Sequence, residues 1–418
     1  MRLIHTADWH LGQTLLGQSR HREQQLALDW LYELIVAQEA DALVVAGDVF
    51  DVASPAEDAR KMYYDFLARL ARSPLKWVIV VAGNHDSPRM IGAVQQLASA
   101  FDIHIVAAPA ANDPAEGAAR SDLLRLVDPQ TGQLAALVAA VPFLQERYVR
   151  TARAGEALDD KERALAAGIH AHYERLAAAC TACEERVPLI ATGHLYASGA
   201  EARDGQDNIY VGKMRNLNAA DLPSAFDYVA LGHIHRPQAL RGAETVRYSG
   251  SLIALDFQES ADEKGCWCVD LAYGQPARIA WHGRTQGRRL KRLSGSVDEL
   301  LEAIESFGSR HRDDELAAWL ELEVVGGAAT SKERAELRAL AERHGARVLK
   351  IVRRRAGAAG SAVEPAAPLR SLQEVSVDEV FAMRCADRDL SGEEAAAVTT
   401  LFGGVLADVR AGKVELPA

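Results

Sequence analysis

Apolar residues in the first two-thirds of the chain fall into short β-like runs, each stopped by glycine or a polar turn. Leu43-Val44-Val45-Ala46, Val78-Ile79-Val80-Val81, Leu189-Ile190-Ala191-Thr192 and Tyr228-Val229-Ala230-Leu231 are unbroken, as strands covered on both faces are. A shorter stretch, Leu3-Ile4-His5-Thr6, opens the chain, and runs near 103–107, 122–127 and 135–141 add to the sheets. Between them the spacing predicts helices at about 21–39, 57–72, 89–100 and 159–185. In the first, Leu26, Leu28, Leu31, Leu34 and Ile35 keep a rough 3.6-residue period. This alternation predicts an α/β chain, built as an α+β sandwich of two sheets flanked by helices, with the strand order left open.

The pattern changes after about residue 275. Arg284, Arg288, Arg289, Lys291 and Arg292 read as a basic connector. Ser296-Val297-Asp298-Glu299 reads as a capping box that opens a helix. A strand (319–325), a helix (331–344) and a strand (347–352) follow, predicting a small α/β cap domain over 276–355 behind a main domain of 1–275. The Ala/Gly/Pro-rich stretch 356–370 reads as a linker. Two helices are expected within 371–418, one capped at Ser376 with Glu379 three residues on, the other beginning near Ser391. Val377, Val380, Phe381, Met383, Val398, Leu401, Phe402, Val405 and Leu406 give them apolar faces. So short a pair has little core of its own; it is expected either to pack back on the main body or to dock on another protein, with docking favoured.

Composition narrows the class. At 418 residues, 49% hydrophobic and 25% charged, the chain is expected to be a multidomain globular protein. No apolar stretch approaches bilayer length and no signal-peptide core follows Met1, so no membrane role and a cytoplasmic location are expected. Five scattered cysteines argue against a disulfide framework. Cys180 and Cys183, despite their C-x-x-C spacing, lie in a helical pattern with no second pair and read as structural, as do Cys266 and Cys268. A net charge of −11 has the wrong sign for a general electrostatic attraction to nucleic acid, so any DNA affinity must be local.

The candidate chemistry sits where the β-like runs stop. Asp8-Trp9-His10, Gly47-Asp48, Gly83-Asn84-His85-Asp86, Gly193-His194 and Gly232-His233-Ile234-His235 each place a metal-capable side chain at the carboxyl edge of a strand. The two-residue spacings of Asp8/His10 and His233/His235 would put both side chains on one side of an extended segment. Asp48, an acceptor with two oxygens, suits a bridging role. Asp8, His10, Asp48, Asn84, His194, His233 and His235 supply only N and O donors, enough for two divalent ions. His5 reads as a satisfied core histidine. Asp51 reads either as a residue supporting the ligands from behind or as a cap for a helix starting near Ser54, with the cap favoured.

This order of segments resembles the calcineurin-like metallophosphoesterases, whose pattern is D-x-H, G-D, G-N-H-D, G-H and G-H-x-H. The longer runs His5-Thr6-Ala7-Asp8-Trp9-His10-Leu11-Gly12-Gln13, Val45-Ala46-Gly47-Asp48-Val49-Phe50-Asp51 and Arg247-Tyr248-Ser249-Gly250-Ser251 are similar to the SbcD family of bacterial nuclease subunits. The resemblance implies one ion on Asp8, His10, Asp48 and His235, and another on Asp48, Asn84, His194 and His233. It implies manganese, with magnesium as the alternative. It makes His85 the group that assists the departing alkoxide, with Asp86 either orienting it or shaping the turn. It implies exonuclease action on double-stranded DNA ends and endonuclease action on single strands or hairpins, in repair, recombination and replication. The expected partner is an SbcC-type coiled-coil ATPase docked on the C-terminal helices, in a heterotetramer around a homodimer of this chain. Helices near 21–39 and 89–100, with Leu97 and Phe101, are the expected dimer surface. The chain lacks a G-x-x-x-x-G-K-[ST] loop, so ATP falls to the partner. Arg20, Arg89 and Lys213 are candidate DNA contacts, as are the connector at 284–292 and Arg353-Arg354-Arg355. The alternative is a stand-alone phosphodiesterase or phosphatase on small phosphoesters or phosphoproteins.

Overall fold

The computed structural model describes residues 1–109, 122–151, 156–202, 222–285, 287–311, 315–327, 329–354, 381 and 397–404. Elements are numbered along the chain. The first are β1 (Arg2–Thr6), a hairpin of β2 (Thr14–Leu15) and β3 (Gln18–Ser19), α1 (His21–Ala37), β4 (Ala42–Ala46), α2 (Glu57–Leu70) and β5 (Trp77–Val81). Short helices α3 (Pro88–Ile91) and α4 (Gln95–Ser99) lead to β6 (Ile103–Val106), β7 (Leu123–Val127) and β8 (Leu134–Ala139). Then come α5 (Glu146–Val149), α6 (Leu158–Thr181), β9 (Leu189–His194) and β10 (Tyr228–Gly232). They are followed by β11 (Gln238–Leu240), β12 (Ala243–Tyr248), β13 (Gly265–Asp270) and β14 (Arg278–Gly283). The last are β15 (Leu290–Gly295), α7 (Val297–His311), β16 (Ala318–Val325), α8 (Ser331–Arg343) and β17 (Ala346–Arg354).

Two six-stranded sheets face each other, in the orders β14-β13-β1-β4-β5-β6 and β11-β12-β10-β9-β8-β7. Their central strands are parallel. The β13–β14 and β7–β8 pairs are antiparallel. Leu3, Val44 and Ile79 from one sheet and Val138, Ile190 and Ala230 from the other fill the layer between them, all completely buried. The outer face of the first sheet packs Ile4, Leu43 and Val80 on Leu28, Leu31 and Phe66 of the flanking helices. On the second, Leu137 and Val229 meet Ile169, Tyr173 and Leu176 of α6. Both faces of β4 and β5 are therefore covered, which is why their sequences run apolar without alternation. Truncating a side chain such as Ile79 to Ala would cost about 2–5 kcal/mol.

Several sequence expectations change in the structure. The main sheet does not end at 275: β14 pairs residue for residue with β13, so the boundary moves past Gly283. Part of the basic connector becomes β15, which pairs parallel with β16 and completes a three-stranded sheet β15-β16-β17. The helix expected at 89–100 is broken by a 3-10 turn at Gly92–Val94, where glycine weakens a continuous helix by about 1 kcal/mol. The capping box at Ser296 forms, with Ser296 N donating to Glu299 at 2.7 Å and Glu299 N to Ser296 Oγ at 3.3 Å. Cys180, Cys183, Cys266 and Cys268 are free thiols. Among the described residues no helix is long and apolar enough to cross a membrane.

Met1–Arg355 forms one compact unit and Ala356–Ala418 a second. In the second, 397–404 is helical and the rings of Phe381 and Phe402 stack with centroids 3.7 Å apart. Val398 and Leu401 are exposed there. The expected linker and the caps at Ser376 and Ser391 lie outside the described residues.

Candidate metal centre

The strand ends of β1, β4 and β5 in one sheet and of β9 and β10 in the other converge on one site. Asp8 and His10 follow β1, but not on an extended segment: their φ angles are 53° and 45°. That left-handed backbone is set by hydrogen bonds to the turn after β4, from Asp8 N to Gly47 O at 3.0 Å and from His10 N to Asp48 O at 3.1 Å. Asp48 (φ 48°) and His233 (φ 100°) are left-handed too. Four non-glycine residues in a region that L-residues avoid, all at one site, are strain held by the surrounding structure. Gly47 and Gly83 are among the glycines required by proximity. A Cβ on Gly47 would lie 2.2 Å from His194 Nδ1, and one on Gly83 would lie 2.1 Å from Asp48 Oδ1.

Among the described residues the side chains gather into three groups, Asp8–His10–His235, Asp48–His194–His233 and, at the mouth, His10–Asp51–His85, with the donor atoms of each within 4.8 Å of one another. The first two groups draw on both sheets, so the site lies on the seam of the sandwich. Asp48 links its own group to the first, Oδ2 being 3.6 Å from His10 Nε2 and 3.3 Å from His194 Nε2. Asn84 Oδ1 lies 2.9 Å from His194 Nε2 and 3.2 Å from His233 Nδ1. Of the sequence-derived ligands, Asp8, His10, Asp48, His194 and His233 are buried, while Asn84 and His235 are partly exposed.

Outer contacts orient the imidazoles. His194 Nδ1 bonds the Ala46 carbonyl at 2.9 Å, His10 Nδ1 faces Asp51 Oδ1 at 3.2 Å, and His235 Nδ1 faces Glu259 Oε1 at 2.7 Å. Each contact leaves Nε2 for the centre. His10 Nε2 is buried with no hydrogen-bond partner. An orphaned ring nitrogen beside two carboxylates, with only N and O donors converging, fits a divalent cation.

Burial pushes the Asp48 carboxyl up, yet His194, then His10 and His85, outweigh it and hold the group far below the usual carboxylate range. Burial depresses His194, but Asp48 and Asp8 raise it to about 9. For Asp8, burial prevails over the neighbouring histidines and raises the group.

His85 is exposed at the mouth, edge-on to His10 with ring centroids 4.9 Å apart. Its Nδ1 meets the Asp51 carbonyl at 2.6 Å, which leaves Nε2 available to a substrate. Asp86 does not orient it. The Asp86 carboxylate accepts from Val49 N, Phe50 N and Gly83 N at 3.1, 2.9 and 2.8 Å, tying the Gly47 and Gly83 turns together. Burial, then the charge of Asp48, raises it to about 6.

Asp51 is not a helix cap: α2 begins at Glu57 with no side-chain cap bond, and Asp51 holds both His10 and His85. The sequence pattern does not single out Glu259, because it follows a loop rather than a strand and carries no glycine signal. His5 is satisfied by Tyr228 Oη at 2.9 Å and Leu231 O at 3.1 Å, as expected.

The candidate DNA contacts divide. Arg20 is 1% exposed, paired with Glu23 and bonded to Ala254 O at 2.8 Å, so it is a structural cation rather than a DNA contact. Arg89 is exposed on α3. Lys213 lies outside the described residues. In the connector, Arg288 donates to Glu23 at 2.5 Å and covers the Trp319 ring, and Arg292 pairs with Glu321 at 2.6 Å; these cations are engaged in packing.

Comparison with known proteins agrees with this geometry. Residues 1–237 match the calcineurin-like phosphoesterase family, and residues 286–389 match the family described as type 5 capsule protein repressor C-terminal domain. The SbcD subunit of the SbcCD nuclease from Escherichia coli K12 is 32% identical over 96% of this chain and 97% of that protein. Its counterpart from Bacillus subtilis 168 is 33% identical over 78% of this chain and 79% of that protein. The one from Rhodobacter capsulatus is 36% identical over 66% of this chain and 68% of that protein. The chain belongs to the calcineurin-like phosphoesterases, in the family of SbcD nuclease subunits.

Proposed function

We propose that this chain is the nuclease subunit of a complex with an SbcC-type coiled-coil ATPase, hydrolysing phosphodiester bonds in DNA ends and hairpins. The observation that carries the reading is the convergence of the Asp8–His10–His235 and Asp48–His194–His233 groups, with His10 Nε2 buried and without a hydrogen-bond partner among them. Asp8, His10, Asp48 and His235 would hold one divalent ion, and Asp48, Asn84, His194 and His233 the other. Manganese suits this mixed N/O set, with magnesium the alternative. When bound, such ions supply an activated water and neutralise charge on the phosphate oxygens.

The chain's own residues do the rest. His85, anchored through Nδ1, offers Nε2 to the departing oxygen and supplies its proton. Asp51 fixes both His85 and His10, so the proton donor and a ligand move together. Asp86 keeps the two turns in register. The C-terminal helices are the docking site for the ATPase, and a homodimer of this chain, set in a heterotetramer, uses the face carrying exposed Leu97 and Phe101.

Labelled double-stranded DNA with manganese, with and without the ATPase partner, tests the reading. Wild type is expected to cut. Asp8→Ala should abolish cleavage, and His85→Ala should lower kcat by about 10²–10⁴-fold while manganese binding persists. Cleavage that survives Asp8→Ala, or strong turnover of small phosphoesters with no DNA cleavage, would overturn it.

A further inference from the structure

Glu23, in the first turn of α1, is 1% exposed and faces more positive charge than it can neutralise. Its Oε2 accepts from Arg20 Nε at 2.6 Å and its Oε1 from Arg288 Nε at 2.5 Å. A third guanidinium, Arg284, is attracted by Glu23 and repelled by Arg20. Three cations around one buried carboxylate leave two positive charges over, where water does little to screen them.

Arg284 is the least satisfied of the three. Among the described residues its Nε and Nη2 are buried with no hydrogen-bond partner, and its Nη1 reaches the Leu252 carbonyl only at 3.5 Å. Buried donors are ordinarily paired, because leaving them idle is costly. Burial accordingly pushes this guanidinium down to about 10, with Glu23 offsetting only part of the effect. The bare face of Gly287 seats the group: a Cβ there would lie 2.8 Å from Nη1 and 2.9 Å from Nη2.

Arg284 lines a cavity of about 580 Å³ between the sandwich and the three-stranded sheet. Arg288 and Lys291 share its wall, and Trp281 and Phe307 add apolar surface. Lys264 on the same wall is already paired with Glu259. Of the remaining carboxylates there, Asp262 lies 3.9 Å from Arg236 Nε and Glu263 is exposed. An acceptor carrying one or two negative charges would complete this cluster, and the donor fork of arginine suits the oxygens of a phosphate. The volume exceeds that of a bare phosphate and leaves room for an ester substituent. We propose that the cavity binds a phosphate-type anion seated on Arg284, supplied either as free phosphate or as a backbone phosphate of nucleic acid. None of its residues belongs to the metal centre, so it is a second anion site on the chain.

Isothermal titration of the full-length chain with sodium phosphate, in chelator and at fixed ionic strength, tests the site without the metals. One phosphate per chain should bind, and Arg284→Met should weaken it by about 10–100-fold through loss of charge-assisted hydrogen bonds. Arg284→Lys keeps the charge without the fork and should fall between. Without phosphate, Arg284→Met should melt no lower than wild type, because an unpaired buried charge has been removed. A second arm separates the two sources: binding of duplex DNA in chelator, followed against salt. If a backbone phosphate fills the cavity, Arg284→Met lowers the salt slope by about one; if free phosphate alone does, the slope holds while the titration still reports the site. Phosphate binding that survives Arg284→Met, or a variant that melts lower than wild type without phosphate, would overturn the proposal. So would a wild type that binds no phosphate and a salt slope that Arg284→Met leaves unchanged. The metallonuclease reading would stand in each of these cases, since no step of the test uses the metals.

Discussion

His5 joins the two sheets from within β1, its ring set between the Tyr228 hydroxyl and the Leu231 carbonyl. A carbonyl only accepts, so Nε2 carries the proton and Nδ1 accepts from Tyr228, a neutral tautomer. Burial pushes this imidazole down to about 3. The unfolded chain takes up that proton near pH 6.5 and the folded chain does not, so stability is full above that pH and falls as pH drops toward 3. The slope from this residue is up to about 1.4 kcal/mol per pH unit. His5→Gln should flatten it in urea unfolding followed from about pH 7.5 to about pH 5; an unchanged slope would place the acid sensitivity elsewhere. At this scale the ligands are legible in the sequence because each follows an apolar run that ends abruptly, and Gly47 and Gly83 are demanded by contacts with His194 and Asp48. Glu259 is not, and Asp51 is legible only as one of two alternatives, since a carboxylate that reaches a histidine through space leaves no periodic trace.

Helices and strands with one clear apolar face follow directly from the sequence; the elements that do not are those whose residues are paired rather than patterned. In β15, Lys291 and Arg292 interrupt the apolar positions, yet Arg292 is neutralised by Glu321 on the adjoining strand, and Lys350 reaches the same carboxylate at 3.2 Å. The Arg292 charge that helps to disguise the strand is paired within its own sheet. The segment from Leu11 to Arg20 is similar: its sequence suggests a cationic reach toward a substrate, but it folds into the β2–β3 hairpin and Arg20 turns inward onto Glu23. Arg20→Ala should destabilise the protein by about 3 kcal/mol in urea unfolding and leave the salt dependence of DNA binding unchanged. Arg89→Ala should do the reverse, leaving stability alone and reducing the salt slope by about one. A fall in slope with Arg20→Ala would restore it as a phosphate contact.

Across the molecule, the sandwich and the three-stranded sheet meet at a small apolar contact of Leu15, Phe257, Leu290 and Trp319. Arg288 spans it, bonded to Glu23 and lying 4.2 Å from the Trp319 ring centre. Arg288→Ala should lower hydrogen-exchange protection in β15 to β17 while β4 and β5 stay protected; equal loss in both would show a single cooperative body. The seam between the two large sheets has its own consequence. Since each of the two ligand groups takes side chains from both sheets, an ion there would act as a clasp between halves that otherwise meet through the apolar layer and a few hydrogen bonds such as those of His5. Binding of this kind adds about 2.7 kcal/mol when free ion exceeds its dissociation constant a hundredfold. Chelation should therefore lower the melting temperature and hasten proteolysis. The working life of this chain, and not merely its turnover, would then be metered by the supply of metal.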